Sequence, residues 1–216
     1  MKEVCMIFGF FAAHIKHGGK IDATQHWDML RKSIRWSQYN NCPMCVVITG
    51  AVGLNAQEYQ EIFKISKIAE VIEYQKNTGH CEGAGVTIRE GLKWAKEKNY
   101  KYLIFTQEDV LLSKNTIERW ISNLEKGADW VGRSFHKSKN METKTFGCRV
   151  ESMFDDEGCV VDNLELKGTF ESRVKRRLKL LKAKISIDEK TAFFHSHNYN
   201  EFLRHFKKKN KNKLFL

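Results

Sequence analysis

The stretch Tyr102-Leu-Ile-Phe-Thr-Gln-Glu-Asp109 is an apolar run that ends abruptly in two carboxylates. A short continuous apolar run of this kind is typical of a strand that is buried on both faces of a sheet. Adjacent acidic groups at the end of such a strand are costly to remove from water unless a cation or hydrogen-bond donors compensate. The stretch therefore predicts a buried strand with a polar site at its carboxyl end.

Strand patterns and helical patterns alternate on both sides of this stretch. Strands are predicted at 4–11, 45–49, 70–74, 102–106 and 130–135, and helices at 24–39, 57–68, 83–98 and 116–124. This alternation predicts an α/β fold, in which right-handed crossovers build a mostly parallel sheet with helices on both faces. Ligands of such sheets bind at the carboxyl ends of the strands, where Glu108 and Asp109 fall.

The pattern changes after residue 135. A strand is predicted at 146–154, an exposed turn at Asp155-Asp156-Glu157-Gly158 and a basic helix at 170–184. No repeat or linker divides the chain, so we expect a single domain over residues 1–216. Residues 1–135 would form its α/β half, residues 136–206 a cap on that half, and residues 207–216 a basic tail.

Charge narrows the class of partner. The 216 residues include 37 Lys+Arg and 26 Asp+Glu, a formal net charge of +11. Such an excess favours an acidic partner, which could be nucleic acid, an anionic membrane surface or a phosphorylated ligand.

Cysteine usage and the first apolar run bear on location. Six cysteines are too few for a disulfide scaffold in a chain of this length. Cys42 and Cys45 have the spacing of a redox motif, but they precede a strand pattern rather than opening a helix, so we interpret these two residues as structural thiols. The apolar run 4–13 is about half of the roughly 20 residues that a membrane span needs. We interpret it as a buried strand rather than a signal peptide and expect a cytoplasmic protein.

A glycine-bearing loop precedes the third helix. Asn77-Thr-Gly-His80 is followed by Glu82-Gly-Ala-Gly85, and helix N-termini attract phosphate groups. The glycine spacing differs from the dinucleotide-binding fingerprint. Hard divalent ions such as Mg²⁺ or Mn²⁺ suit the carboxylates at 108 and 109, so a metal-bridged diphosphate is the natural ligand for both features.

In this order the motifs resemble those of the GT-A glycosyltransferases, particularly family 2. The matching elements of the first half are Asn77-Thr-Gly79, Gly91-Leu92 and Gln107-Glu-Asp109, where the last resembles the family's Asp-x-Asp signature. The matching elements of the second half are Glu171, Arg177-Leu178, a strand at 183–187 and His195-Ser-His-Asn-Tyr199. The last segment resembles one found in rhamnosyltransferases of bacterial surface polysaccharides, and the small format is similar to glycosyltransferase domains of large algal viruses. The resemblance covers residues 45–206.

The resemblance implies a GT-A (Rossmann-like) fold and a metal-dependent glycosyltransferase. It would move a hexose, with rhamnose as one candidate, from a nucleoside-diphosphate sugar, UDP- or dTDP-linked, to a glycan acceptor. Residues 1–135 would bind the donor and residues 136–206 the acceptor. Mn²⁺ or Mg²⁺ would be the cofactor.

The resemblance also assigns roles to residues. Asp109, His195 and His197 would hold the metal ion, Asp109 would act in catalysis with it, and Glu171 would be the base if the enzyme inverts the anomeric configuration. The contacts to the nucleotide sugar would come from Phe10, Thr49, Gly50, Asn77, Gly79, His80, Gln107 and Glu108. Because Gln107 replaces the first aspartate of the signature, Asp109 would carry most of the metal ion.

Three alternatives remain open from the sequence. A basic nucleic-acid-binding module would account for the charge, although no nucleic-acid motif is present, and we expect no nucleic-acid partner. A degenerate transferase would bind sugars without turnover. A nucleotidyltransferase of similar fold would be expected to carry a Gly-rich Lys/Arg signature near residue 10, which is absent. The basic residues of 207–213 predict at most a peripheral contact with a membrane.

Overall fold

The computed structural model describes residues 2–12, 23–37, 41–51, 53–76, 79–134, 141–162, 164, 168–191, 193–196 and 198–211. The strands are β1 (Lys2–Phe11), β2 (Met44–Thr49), β3 (Glu70–Tyr74), β4 (Tyr100–Gln107), β5 (Val110–Leu112), β6 (Trp130–Ser134), β7 (Met141–Arg149), β8 (Phe154–Asp155), β9 (Gly158–Cys159), β10 (Ile185–Ile187) and β11 (Phe193–His195). The helices are α1 (Ala23–Ser37), α2 (Ala56–Ser66), α3 (Gly79–Glu97), α4 (Lys114–Glu125), α5 (Phe170–Leu180) and α6 (Tyr199–Lys211).

Seven strands form one sheet in the order β10-β6-β7-β4-β1-β2-β3. Strand β1 pairs in parallel with β2 and β4, and β10 pairs in parallel with β6, whereas β7 runs antiparallel between β4 and β6. The predicted α/β fold with a mostly parallel sheet is confirmed. Strands β7 and β10, from the predicted cap, belong to this same sheet.

The sheet separates two apolar cores, because successive side chains of a strand point to opposite faces. On one face, alternate residues of the central strands pack beneath α3 and α5, as Ile7 and Phe105 do. On the other face, the intervening residues pack beneath α1, α2 and α4, as Phe8 and Ile104 do. Both faces of the central strands are therefore buried, which explains their continuous apolar sequence.

Gly91 allows α3 to lie close against β1. A Cβ atom at this position would lie 2.7 Å from Cγ2 of Ile7, and the Ile7 side chain is fully buried. Leu92 beside it is also buried. In this chain the Gly91-Leu92 pair thus serves helix–sheet packing.

Helix α6 was not predicted, and it includes Lys207–Lys211 of the expected tail. It is joined to α1, because the Tyr199 hydroxyl donates to Asp28 Oδ2 over 2.5 Å. Burial alone would raise the pKa of Asp28, but hydrogen bonds from Lys32 and Tyr199 lower it overall. The pair between α1 and α6 therefore favours the charged carboxylate.

The acidic turn is a short hairpin of β8 and β9, as expected from Asp155 to Gly158. Buried Arg177 of α5 donates to Asp155 over 2.6 Å and to Glu157 over 3.1 Å. The Arg177-Leu178 pair of the sequence resemblance therefore anchors this hairpin.

Cys42 and Cys45 are not joined in a disulfide, in agreement with their interpretation as structural thiols. Burial, followed by the nearby Glu70 carboxylate, raises the pKa of Cys45 to about 12. Cys45 is therefore a protonated thiol at neutral pH and an inert part of the core. Over the part of the chain that the structure describes, none of the helices combines the length and apolar character needed to cross a bilayer.

Candidate functional site

Asp109 and His195 meet at the carboxyl end of β4. Asp109 lies in the turn between β4 and β5, and β11 pairs antiparallel with β5 so that His195 lies opposite Val110. This pairing places His195 Nε2 3.0 Å from Asp109 Oδ2, and the Asp109 side chain is buried. Two residues separated by 86 positions thereby form one acid–imidazole pair.

Hydrogen bonds to the backbone hold the acidic turn in place. The Ser33 hydroxyl on α1 donates to the carbonyl oxygen of Glu108 over 2.5 Å, and Ser196 N donates to the carbonyl oxygen of Asp109 over 3.4 Å. These bonds attach the turn to α1 and to the end of β11, so the site is assembled from three separate parts of the chain.

Glu108 lies beside Asp109 in the turn that follows β4. Burial, followed by the negative charge of Asp109, raises the pKa of Glu108 to about 8. A carboxyl group in that state donates a hydrogen bond at neutral pH rather than presenting a charged oxygen to a cation. In that state Glu108 is a poor ligand for a cation, whereas Asp109 Oδ2 lies 3.0 Å from the His195 imidazole.

The segment before His195 is anchored by Asp188. Asp188 Oδ2 accepts hydrogen bonds from Arg119 on α4 and from Thr191 Oγ1, at 3.1 Å in each case. The buried Trp120 Nε1 in turn donates to Thr191 Oγ1 over 3.1 Å. These bonds fix the chain between β10 and β11 and so determine where His195 enters the site.

Lys144 is a member of the site that the sequence did not indicate. It lies on β7, and its Nζ is 2.9 Å from His195 Nε2. Lys144 directly precedes Thr145, which is paired with Thr106 of β4. No motif marks this lysine, and only the antiparallel insertion of β7 beside β4 brings it to the acid–imidazole pair.

The predicted nucleotide side lies at the ends of β1 and β2. Thr49 is buried and its hydroxyl donates to the Phe10 carbonyl oxygen over 3.4 Å, while Gly50 follows with a φ of 69° that favours glycine. The structure does not support Phe10 as a contact to the base, because its ring is 1% exposed and packs 4.3 Å from Trp27. Phe11, on the opposite face, is half-buried.

The N-terminal part of α3 lies beside these strand ends. Gly79 and His80 begin the helix, and a Cβ atom at Gly83 would lie 3.5 Å from the Phe11 ring and 3.6 Å from Thr49 Oγ1. The helix start does lie at the carboxyl edge of the sheet, but the predicted loop is wrong in extent: α3 begins at Gly79 rather than at 83, so Glu82–Gly85 lie inside the helix. Asn77 lies outside the described residues.

The remaining predicted residues occupy different positions around this edge. Gln107 ends β4 beside Gly9 of β1. Glu171 lies in the first turn of α5, where Thr169 caps the helix, and among the described residues no hydrogen bond or ion pair joins it to Asp109 or His195. His197 is outside the described residues. Within the described chain, no group of three or more His, Cys, Asp or Glu side chains could by itself hold a metal ion.

No family model matches this chain, and no curated protein matches its sequence. Solved structures do match its fold. A protein from Desulfovibrio desulfuricans that is named as a nucleotide-diphospho-sugar transferase superposes with a TM-score of 0.59 at 13% identity, covering 87% of this chain and 80% of that one. The chain has a GT-A-like fold.

Two other structures share the GT-A-like fold. A mannosyltransferase from Pyrobaculum calidifontis, in complex with GDP-Man and Mn²⁺, has a TM-score of 0.55 at 9% identity, over 87% of this chain and 54% of that one. A 4-diphosphocytidyl-2C-methyl-D-erythritol synthase has a TM-score of 0.55 at 11% identity, over 95% and 99%. At such identities the matches establish the fold, and the activity must be argued from the site.

The aromatic side chains of this GT-A-like fold argue against the nucleic-acid module. Tyr59 and Phe63 are the exposed aromatics of the described chain, and both lie on α2. Large aromatics such as Trp120 and Trp130 are fully buried. A single-strand-binding surface needs several exposed rings along a basic groove, which the described residues do not provide.

Proposed function

We propose that this protein is a glycosyltransferase that uses a nucleoside-diphosphate sugar and transfers a hexose to a glycan acceptor. UDP- and dTDP-linked sugars are the first donors to test, and rhamnose is the first sugar. The cytoplasm, where such donors would be met, is the proposed location. The proposal is supported by the GT-A-like fold and by the sequence resemblance.

The observation that carries the proposal is the pairing of Asp109 with His195 at the carboxyl end of the central strand. Ligands of open α/β sheets bind at this edge, and a buried carboxylate beside an imidazole is a suitable donor set for a divalent ion. The start of α3 lies at the same edge and suits a phosphate group.

The donor set fits a divalent ion in its spacing. Asp109 Oδ2 and His195 Nε2 are 3.0 Å apart. Neighbouring ligands of an octahedral ion with bonds of about 2.1 Å are separated by about 3 Å. Mg²⁺ usually takes one or two protein carboxylates and completes its shell with water and substrate phosphates, and Asp109 would supply one such carboxylate. Asp109 and His195 would hold Mn²⁺ or Mg²⁺.

Different residues of the chain would then have separate roles in transfer of the sugar. The bound ion would neutralise charge on the leaving diphosphate as a Lewis acid. Asp109 and His195 would hold that ion, and the amide groups at the start of α3 would stabilise the negative charge of the diphosphate. Glu171 lies beside Phe170, which packs against Gly85 of α3, and is proposed to accept the proton of the acceptor hydroxyl in an inverting reaction.

Nucleotidyl transfer is the second candidate function. It is favoured by one observation, the match of a diphosphocytidyl-methylerythritol synthase over 95% of this chain and 99% of that one. The two reactions differ in products, because a nucleotidyltransferase releases pyrophosphate from a nucleoside triphosphate whereas a glycosyltransferase releases a nucleoside diphosphate from a sugar nucleotide.

The test is a thermal-unfolding and calorimetry screen of the purified chain with UDP-, dTDP- and GDP-sugars and with CTP, each with Mn²⁺. A ligand at 100 times its dissociation constant stabilises the folded state by about 2.7 kcal/mol. For a chain of this size that corresponds to a rise in Tm of about 5–10 °C. We expect this rise for one nucleotide class and its loss in Asp109→Asn.

Glu125→Gln is the matched control, because Glu125 is an exposed carboxylate at the end of α4. It should respond to the donor as the wild type does. Stabilisation by CTP without any response to sugar nucleotides would favour the nucleotidyltransferase. If neither sugar nucleotides nor CTP stabilised the protein, the proposed site would be contradicted. The same holds if Asp109→Asn bound the donor as tightly as the wild type.

A further inference from the structure

One imidazole nitrogen of the site has two charged neighbours. His195 Nε2 lies 3.0 Å from Asp109 Oδ2 and 2.9 Å from Lys144 Nζ. Both distances are within hydrogen-bonding range. The Lys144 ammonium group and the Asp109 carboxyl group therefore both approach the same nitrogen of His195.

These two contacts are not both hydrogen bonds. An imidazole nitrogen has one in-plane position, which is either an N–H that donates or a lone pair that accepts. Donation to Asp109 would leave no lone pair for Lys144, and acceptance from Lys144 would leave no proton for Asp109. When the lone pair of His195 Nε2 faces the Lys144 ammonium group, Lys144 is the hydrogen-bond donor. Its positive charge then lies beside the same imidazole and carboxylate that would hold a divalent ion.

The sheet holds Lys144 in this position. The pairs of β7 with β4 begin at Thr145, and its pairing with β6 is irregular between Met141 and Phe146, so Lys144 lies where the regular ladder begins. The Thr145 hydroxyl next to Lys144 donates to the Phe105 carbonyl oxygen over 3.0 Å. Lys144 N donates to Glu142 Oε1 over 3.1 Å. These neighbouring bonds position the lysine backbone, while its partly exposed side chain retains access to solvent.

We propose that Lys144 is a built-in cation of the diphosphate site, which binds the donor's diphosphate when no divalent ion is present and gives way at His195 when one binds. This inference rests on the proposed function. A diphosphate approaching Asp109 without a compensating cation would meet a like charge in a poorly solvated site. Lys144 removes that repulsion, so donor binding does not depend entirely on the metal ion.

The experiment is calorimetric titration of the full chain with UDP, dTDP and GDP, once with Mn²⁺ and once with EDTA. The wild type is expected to bind one nucleotide in EDTA at an affinity within about tenfold of that in Mn²⁺. Lys144→Met should lose about tenfold or more in EDTA, as expected for one charged hydrogen bond, and clearly less in Mn²⁺. Lys144→Arg, which keeps the charge, should retain part of the binding in EDTA.

Lys101→Met is the matched control, because Lys101 lies on the same sheet at the opposite end of β4, about 20 Å or more away along the strand. It should bind as the wild type does under both conditions, and thermal unfolding reports whether each variant is folded. Wild-type binding that needs Mn²⁺, or an equal loss in Lys144→Met with and without the metal, would overturn the role of Lys144 and leave the proposed function intact. Absence of nucleotide binding by the wild type under both conditions would overturn the proposed function itself.

Discussion

Asp188→Ala is expected to weaken both the fold and the site. Asp188 is buried and accepts hydrogen bonds from Arg119 and Thr191 on one oxygen and from Lys190 N on the other. Alanine removes both oxygens at once. Because these bonds fix the segment that leads into β11, their loss also frees His195 from its position beside Asp109.

The magnitude follows from the three partners. Thr191 is buried, so its hydroxyl loses its acceptor without access to water, at a cost of about 1–3 kcal/mol. The Lys190 amide bond contributes about 1 kcal/mol. The Arg119 side chain is 36% exposed and regains water, so its ion pair adds no more than about 1 kcal/mol. The free energy of unfolding should fall by roughly 2–5 kcal/mol, which lowers Tm by about 4–20 °C.

Urea unfolding and calorimetric titration with the stabilising nucleotide measure the two effects on the same protein. Glu118→Ala is the control, because Glu118 is next to Arg119 on α4 but forms only an exposed ion pair with Lys114 at 3.7 Å. Its unfolding free energy should change by less than about 0.5 kcal/mol. A change below about 1 kcal/mol in Asp188→Ala, or unchanged nucleotide affinity, would refute the argument that Asp188 holds the segment before His195.

Three other changes test the packing, the charge and the thiol chemistry. Gly91→Ala places a methyl group 2.7 Å from the buried Ile7 side chain. The overpacking should cost about 1–3 kcal/mol, which exceeds the gain of up to about 1 kcal/mol in helix propensity, so urea unfolding should show a net loss of stability. A stabilised variant would contradict this contact. The lowered pKa of Asp28, maintained in part by Tyr199, gives stability that is present at neutral pH and is lost as the pH falls through the folded-state pKa. Asp28→Asn should therefore cost more at neutral pH than at about pH 3, and an equal cost at both would oppose this. Cys45, whose pKa is raised to about 12 by burial, should react with iodoacetamide slowly when folded and quickly in urea, as mass spectrometry can measure.

The elements around Asp109 could be predicted because their signals are local. Strand β4 is a continuous apolar run, and α4 begins at Lys114 directly after Ser113, whose side chain accepts from Thr116 N as a capping residue should. Strands β5 and β11 were not predicted, since three residues each carry too little pattern. Lys144 was missed for a different reason: a single lysine in a strand has no sequence signature that tells which neighbour it meets.

The sequence by itself determined the alternation of strands and helices, the buried central strand and the acidic turn at its end, because these depend on the periodicity of neighbouring residues. Only the tertiary structure decided that β7 inserts antiparallel between β4 and β6 and that β11 pairs with β5. Pairing between distant strands depends on register and on the burial of both faces, which no local pattern specifies. That pairing brings Asp109, His195 and Lys144 together. The sequence therefore contains the functional groups, and the order and direction of the strands place them in one site.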